Sequence, residues 1–116
     1  MQRIRRGDVW WVSFGPSLGG EIRKTRPAVV VSNNAANDAL NRVIVVPLSS
    51  RTGKVYPSEA LVTVAGRQAK AMTDQIATAS KLRLRDRIEA LPSSDLKAVE
   101  DAILLHLGIR RSSWRR

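Results

Sequence analysis

The chain contains no cysteine and a single histidine, His106. The first absence excludes disulfides, thiolate metal sites and a cysteine nucleophile. The second excludes a His-based zinc site and any mechanism that passes protons between two histidines. Aromatic residues are scarce: Trp10, Trp11, Phe14, Tyr56 and Trp114 make up the whole set. No apolar run exceeds about five residues, against the roughly 20 a membrane helix needs. The opening Met1-Gln2-Arg3-Ile4-Arg5-Arg6 is basic with no apolar stretch behind it, so it does not read as a secretory signal. The expectation is a cytoplasmic protein without membrane, metal or cofactor.

Negative charge is the other scarce commodity. Ten acidic residues face 20 Lys and Arg in 116 residues, a formal charge of +10. Residues 1–26 carry six cations and two acids, while 81–108 balance at five of each. The segment 109–116 has four Arg and no acid. One basic face is the electrostatic footprint of a nucleic-acid binder. A generally basic protein with weak affinity for any RNA has the same composition, so charge alone leaves both open. The hydrophobic share of 43% suits one globular domain, expected over 1–109, with 110–116 as a basic tail. Trp114 in that tail is available for stacking on a base or for docking on the domain.

Residues 8–14 are rich in β-branched and aromatic types and predict a strand. Gly15-Pro16-Ser17-Leu18-Gly19-Gly20 then opens a long polar loop to Arg26. Pro27 biases Arg26 toward extended geometry, and 28–32 predicts a second, buried strand. Residues 33–41 read as a turn or short helix, and 42–48 as a third strand ending at Ser49-Ser50. A loop over 51–57 precedes strands predicted at 60–64, 69–77 and 87–91. Pro92-Ser93 with Asp95 predicts a helix start capped by Ser93. Leu96, Val99, Ile103 and Leu107 form one apolar stripe, and Gly108 supplies the stop. His106 falls within that helix, in a surface or packing role. The fold expected is mainly β: a small, strongly bent antiparallel barrel closed by a C-terminal helix.

Two loops gather the reactive polar groups: Glu21, Arg23, Lys24, Thr25 and Arg26 in the first, and Ser49, Ser50, Arg51, Thr52 and Lys54 in the second. Arg26 enters a core strand and is pinned by Pro27, where its guanidinium is placed to clamp a phosphate. An ordinary surface arginine opening a strand would look the same. Glu21 stands among Arg23, Lys24 and Arg26, neighbours that favour the ionised form a general base needs, or a simple ion pair. Ser49 and Ser50 are placed to donate to phosphate oxygens or merely to satisfy a turn. The acids are too scattered for a metal-binding carboxylate cluster. RNA offers another route, because its own 2′-hydroxyl attacks the adjacent phosphate given a base, a cationic stabiliser and an acid.

Six fragments in order resemble the MazF/PemK family of toxin endoribonucleases. They are Arg6-Gly7-Asp8-Val9-Trp10, Gly19-Gly20-Glu21, Arg26-Pro27-Ala28-Val29-Val30-Val31-Ser32, Val45-Val46-Pro47-Leu48-Ser49-Ser50, Lys54-Val55-Tyr56-Pro57 and Ala71-Met72-Thr73-Asp74-Gln75-Ile76. The resemblance implies an SH3-like barrel of the MazF/PemK/CcdB plasmid-maintenance-toxin type, working as a homodimer. It implies metal-independent cleavage of single-stranded RNA at short sequences, and a cognate antitoxin whose acidic, flexible tail occupies the RNA groove. By the same resemblance Arg26 matches the family's catalytic arginine, Ser49 a hydroxyl position and Glu21 the acid. Gly20 stands where serine is usual. Arg23, Lys24, Thr25, Ser50, Arg51, Thr52, Lys54 and Gln75 are the RNA-contact candidates, Asp74 and Gln75 belonging to a motif that is structural or RNA-contacting.

Two other classes stay open on sequence. The same barrel serves relatives that poison DNA gyrase by docking, a role that has no need of Glu21, Arg26 and Ser49 together; a supercoiling assay discriminates. A non-enzymatic basic RNA-binding barrel would show salt-sensitive binding without product.

Overall fold

The computed structural model describes residues 2–15 and 24–110. Its elements run β1 (Asp8–Ser13), β2 (Thr25–Val30), α1 (Asn34–Ala39), β3 (Arg42–Ser49), β4 (Glu59–Val64) and β5 (Arg67–Met72). A 3₁₀ turn (Thr73–Gln75) leads to β6 (Ala77–Ser80), a second (Lys81–Arg83) to β7 (Leu84–Ala90), and α2 (Ser93–Leu107) closes the chain. The strands form one antiparallel sheet in the order β4-β5-β3-β2-β1-β7, with β6 also paired to β3. The sheet curls into a half-barrel, and the Glu89 carboxylate on β7 accepts from the Ala65 N–H at 2.8 Å beside the β4–β5 turn.

Alternation along each strand sends side chains to two cores, one per face. Val9, Val29, Val46, Leu48, Val62 and Ala71 pack with Val99 and Ala102 of α2 on the inner face. Trp10, Val12, Ala28, Val30, Val43 and Val45 pack with Ile4, Ala79 and Leu84 on the outer. Gly7 starts β1 at φ +92°, and a Cβ there would meet Leu96 Cδ2 at 3.2 Å. Outside the cores, the Arg3 side-chain hydrogen bond holds the Asp38 carboxyl below its ordinary value, tying α1 to the N-terminal segment.

Several predicted boundaries move. The 69–77 strand is two strands, because β5 and β6 follow one another along the same edge of β3 and the Thr73–Gln75 turn separates them. The second strand starts at Thr25, where pairing with Ser13 begins, and the last starts at Leu84 rather than 87. Ser93 lies inside α2; Pro92 is the cap residue and no side chain caps the helix. The Asp95 carboxylate instead accepts from the Thr63 N–H at 3.0 Å, joining the helix to β4. Leu107 leaves the predicted stripe and is 52% exposed, Ala102 being buried in its place. Gly108 does end the helix, at φ 71° and ψ 23°.

The β4–β5 hairpin pairs Val64 with Arg67 across a two-residue turn in which both Ala65 (φ 51°) and Gly66 (φ 78°) are left-handed. This is the signature of a type I′ turn, whose first position favours Asn over Ala. Ala65→Asn is therefore expected to raise the melting temperature by roughly 2–4 °C. Unchanged or lower thermal stability by calorimetry would contradict the turn assignment.

Candidate functional site at one end of the sheet

The β1–β2 and β3–β4 connections leave the same end of the sheet, because Ser13 pairs with Thr25 there and β3 ends at Ser49. The β2–β3 pairing ends with Ala28 against Pro47, and two residues beyond it alternation puts Arg26 and Ser49 on the same face as that pair. Arg26 also pairs with Val12, and Ser49 with Lys70. Lys70 in turn pairs with Leu61. Paired residues share a face, so Val12, Arg26, Ser49, Lys70 and Leu61 form a row across five strands on the outer face. Arg26 is half-buried in that row and Ser49 is buried. The Ser49 hydroxyl accepts from the Arg51 N–H at 3.1 Å, so it also turns the chain into the next loop.

A cavity of about 540 Å³ opens at the same end. Trp11, Pro27, Leu48, Ala69 and Ile88 line its apolar wall, and Arg26, Ser49 and Ser50 reach it where strands end. Lys24, Thr25, Arg67 and Gln68 add polar groups. Lys24 adopts φ 70°, a conformation that non-glycine residues hold only where their surroundings impose it. Here a short ladder imposes it: Phe14 N–H donates to the Lys24 carbonyl at 3.0 Å and Lys24 N–H to the Gly15 carbonyl at 3.4 Å.

The structure thus brings Arg26, Ser49, Ser50, Lys24 and Thr25 together. Glu21, Arg23, Gly19 and Gly20 lie outside the described residues, as do 111–116 with Trp114. Arg51, Thr52 and Lys54 continue from Ser49 in the β3–β4 loop without lining the cavity. Gln75 is apart from the row, in the 3₁₀ turn that packs against α2. His106 is exposed near the end of α2.

Sequence reasoning missed three members. Lys70 joins the row only through strand register, which no local pattern encodes. Arg67 and Gln68 lie just beyond the turn at 65–66, a turn that carries only half of a hairpin signature. Lys70 forms an ion pair with Glu59 at 3.2 Å, both side chains nearly buried. Its ammonium also donates to the Lys54 carbonyl at 2.9 Å. Among the described residues no three His, Asp or Glu side chains cluster in metal-ligand fashion, and no helix is long and apolar enough to cross a membrane. Arg26, Lys24 and Arg67 with the Ser49 and Ser50 hydroxyls around one cavity are groups of the kind that bind a phosphodiester.

A family model described as the PemK-like, MazF-like toxin of type II toxin–antitoxin systems matches residues 5–107. The endoribonuclease MazF9 of Mycobacterium tuberculosis is 37% identical over 115 residues, spanning 91% of this chain and 98% of the relative. Among solved structures, MazF from Deinococcus radiodurans superposes with a TM-score of 0.81 at 24% identity, over 93% of this chain and 99% of that one. A mycobacterial endoribonuclease in complex with its cognate antitoxin gives 0.77 at 22% identity, over 96% and 99%. At such identities these two structures speak to the fold.

Proposed function

The chain belongs to the PemK-like, MazF-like toxin family of type II toxin–antitoxin systems and is an endoribonuclease toxin; from that premise we propose that it cleaves single-stranded RNA without a metal. The RNA's 2′-hydroxyl attacks the adjacent phosphorus, the bond to the 5′-oxygen breaks, and the products end in a 2′,3′-cyclic phosphate and a 5′-hydroxyl. Glu21 takes the 2′-hydroxyl proton. Arg26 stabilises the charge growing on the phosphoryl oxygens and acts as acid toward the leaving 5′-oxygen. Ser49 orients the phosphate. Lys24, Thr25, Ser50, Arg51, Thr52 and Lys54 hold the strand on either side, with Arg23 and Gln75 as further contacts.

The observation that carries this reading is that Arg26 and Ser49 line one cavity at the open end of the sheet. A docking protein without chemistry has no use for a half-buried arginine and a buried serine brought to one cavity. Two partners follow from the same reading. A second copy of the chain fits the exposed Leu105, Leu107 and Ile109 at the end of α2. An antitoxin with an acidic, flexible tail fits a toxin of +10 charge, since complementary charge steers encounter and fixes register. The cytoplasm, where such RNA and antitoxin meet, is its expected compartment.

The test is to incubate EDTA-treated protein with a long single-stranded RNA and map the fragment ends. Discrete cuts with 5′-hydroxyl ends are the expected product. Retention of RNA at low salt with no cuts would overturn the catalytic reading.

A further inference from the structure

Beside the Arg26–Ser49–Lys70 row, the loop between β3 and β4 raises an aromatic ring that the mechanism does not use. Tyr56 is 53% exposed in a chain with very few aromatics. Its surroundings hold it in place. The Tyr56 N–H donates to Glu59 Oε1 at 2.9 Å, and the Glu59 N–H donates back to the Tyr56 carbonyl at 2.9 Å. Glu59 is itself fixed by Lys70, and Lys70 also grips the Lys54 carbonyl. The Thr73 hydroxyl donates to the Ser58 carbonyl on the other flank. These bonds fix the main chain that carries the ring, so the loop loses little freedom when something packs there, which is what preorganisation contributes to binding.

The ring also carries charge beside it. Lys54 Nζ lies 5.5 Å and Lys70 Nζ 5.8 Å from its centroid, near the outer limit of cation–π contact, so ring area remains open. Val55 and Leu61, both about 40% exposed, extend the apolar surface on this side. An open ring beside the Lys54 ammonium, with Lys70 already paired to Glu59, matches one nucleotide: a base to stack and a phosphate to neutralise. Lys70 joins the ring to the Ser49 position, so the platform stands one side chain away from the row.

We propose that Tyr56 is the stacking platform for a base flanking the scissile phosphate, with Lys54 meeting the adjoining phosphate. This rests on the ribonuclease reading and adds to it a residue that selects where the strand sits. The experiment uses the full chain and an oligoribonucleotide spanning one mapped cut. In one set the scissile ribose is 2′-O-methylated and 2-aminopurine is placed at successive flanking positions. Wild type and Tyr56→Phe should quench the fluorophore at one position, and Tyr56→Ala should not. On the cleavable strand Tyr56→Ala should raise KM roughly 5- to 100-fold with kcat within a few-fold. Replacing the stacked base by an abasic ribose should cost wild type a similar factor and the alanine variant almost nothing.

Equal abasic penalties in wild type and Tyr56→Ala, or an unchanged KM, would overturn the platform while the ribonuclease reading stands. A Tyr56→Ala variant that keeps its RNA KM and loses affinity for an acidic peptide would assign the ring to a protein partner and overturn it too. Absence of any metal-free cut by wild type would remove the reading beneath it.

Discussion

Arg26→Ala is expected to slow RNA cleavage by about 10²–10³-fold, the loss typical of removing one preorganised donor from a developing oxyanion. The structure makes the effect separable from folding. Arg26 is only half-buried, and its strand pairing with Val12 runs through backbone groups that alanine retains. Pro27 keeps position 26 extended whatever its side chain. Melting temperature should therefore move little, and RNA affinity should stay within a few-fold because the other cations at that end remain. Arg26→Lys should recover only part of the rate, since a point charge does not reproduce a planar, two-pronged donor. Single-turnover rates on one RNA, beside a thermal melt of each variant, decide the matter. Wild-type cleavage by Arg26→Ala would remove this residue from the mechanism and leave the family membership untouched.

The second large effect concerns stability. Trp10 and Trp11 are neighbours in β1, yet Trp10 is 4% exposed and Trp11 40%. Trp10 fills the outer core with Val12, Ala28 and Val45, so Trp10→Ala is expected to cost about 3–5 kcal/mol. For a domain whose whole stability is on the order of 5–15 kcal/mol, that is a large fraction. Trp11 faces the cavity wall instead, and Trp11→Ala should cost less than half as much. Urea titrations of both variants measure the difference. Equal losses would show that the two rings do not lie on opposite faces as described.

Where the sequence was legible, one chemical signal dominated its neighbourhood. The β-branched runs at Val29–Val31 and Val43–Val46 announce buried strands, and Gly108 announces the helix stop that the left-handed turn confirms. Ser93 misled because a serine after proline resembles a cap, while the first turn of α2 is in fact tied to β4 by Asp95. The 69–77 stretch misled because small residues continue through the break, and only the Thr73 bond to Ser58 shows why the chain turns there. The candidate site divides in the same way. Arg26 before Pro27 and Ser49 at a strand end are marked by local features. Lys70 owes its place to a pairing with a residue 21 positions earlier, and no window of sequence holds both.

The short ladder of Phe14, Gly15 and Lys24 has an evolutionary consequence. It closes the β1–β2 connection with main-chain hydrogen bonds, and the pairing that fixes the strands, Ser13 with Thr25 and inward, is complete before residue 16 is reached. The register of β1 against β2 is thus written in residues on either side of 16–23. A lineage that keeps Glu21 and Arg23 for the proposed chemistry can vary the residues around them without touching the pairing of Ser13 with Thr25.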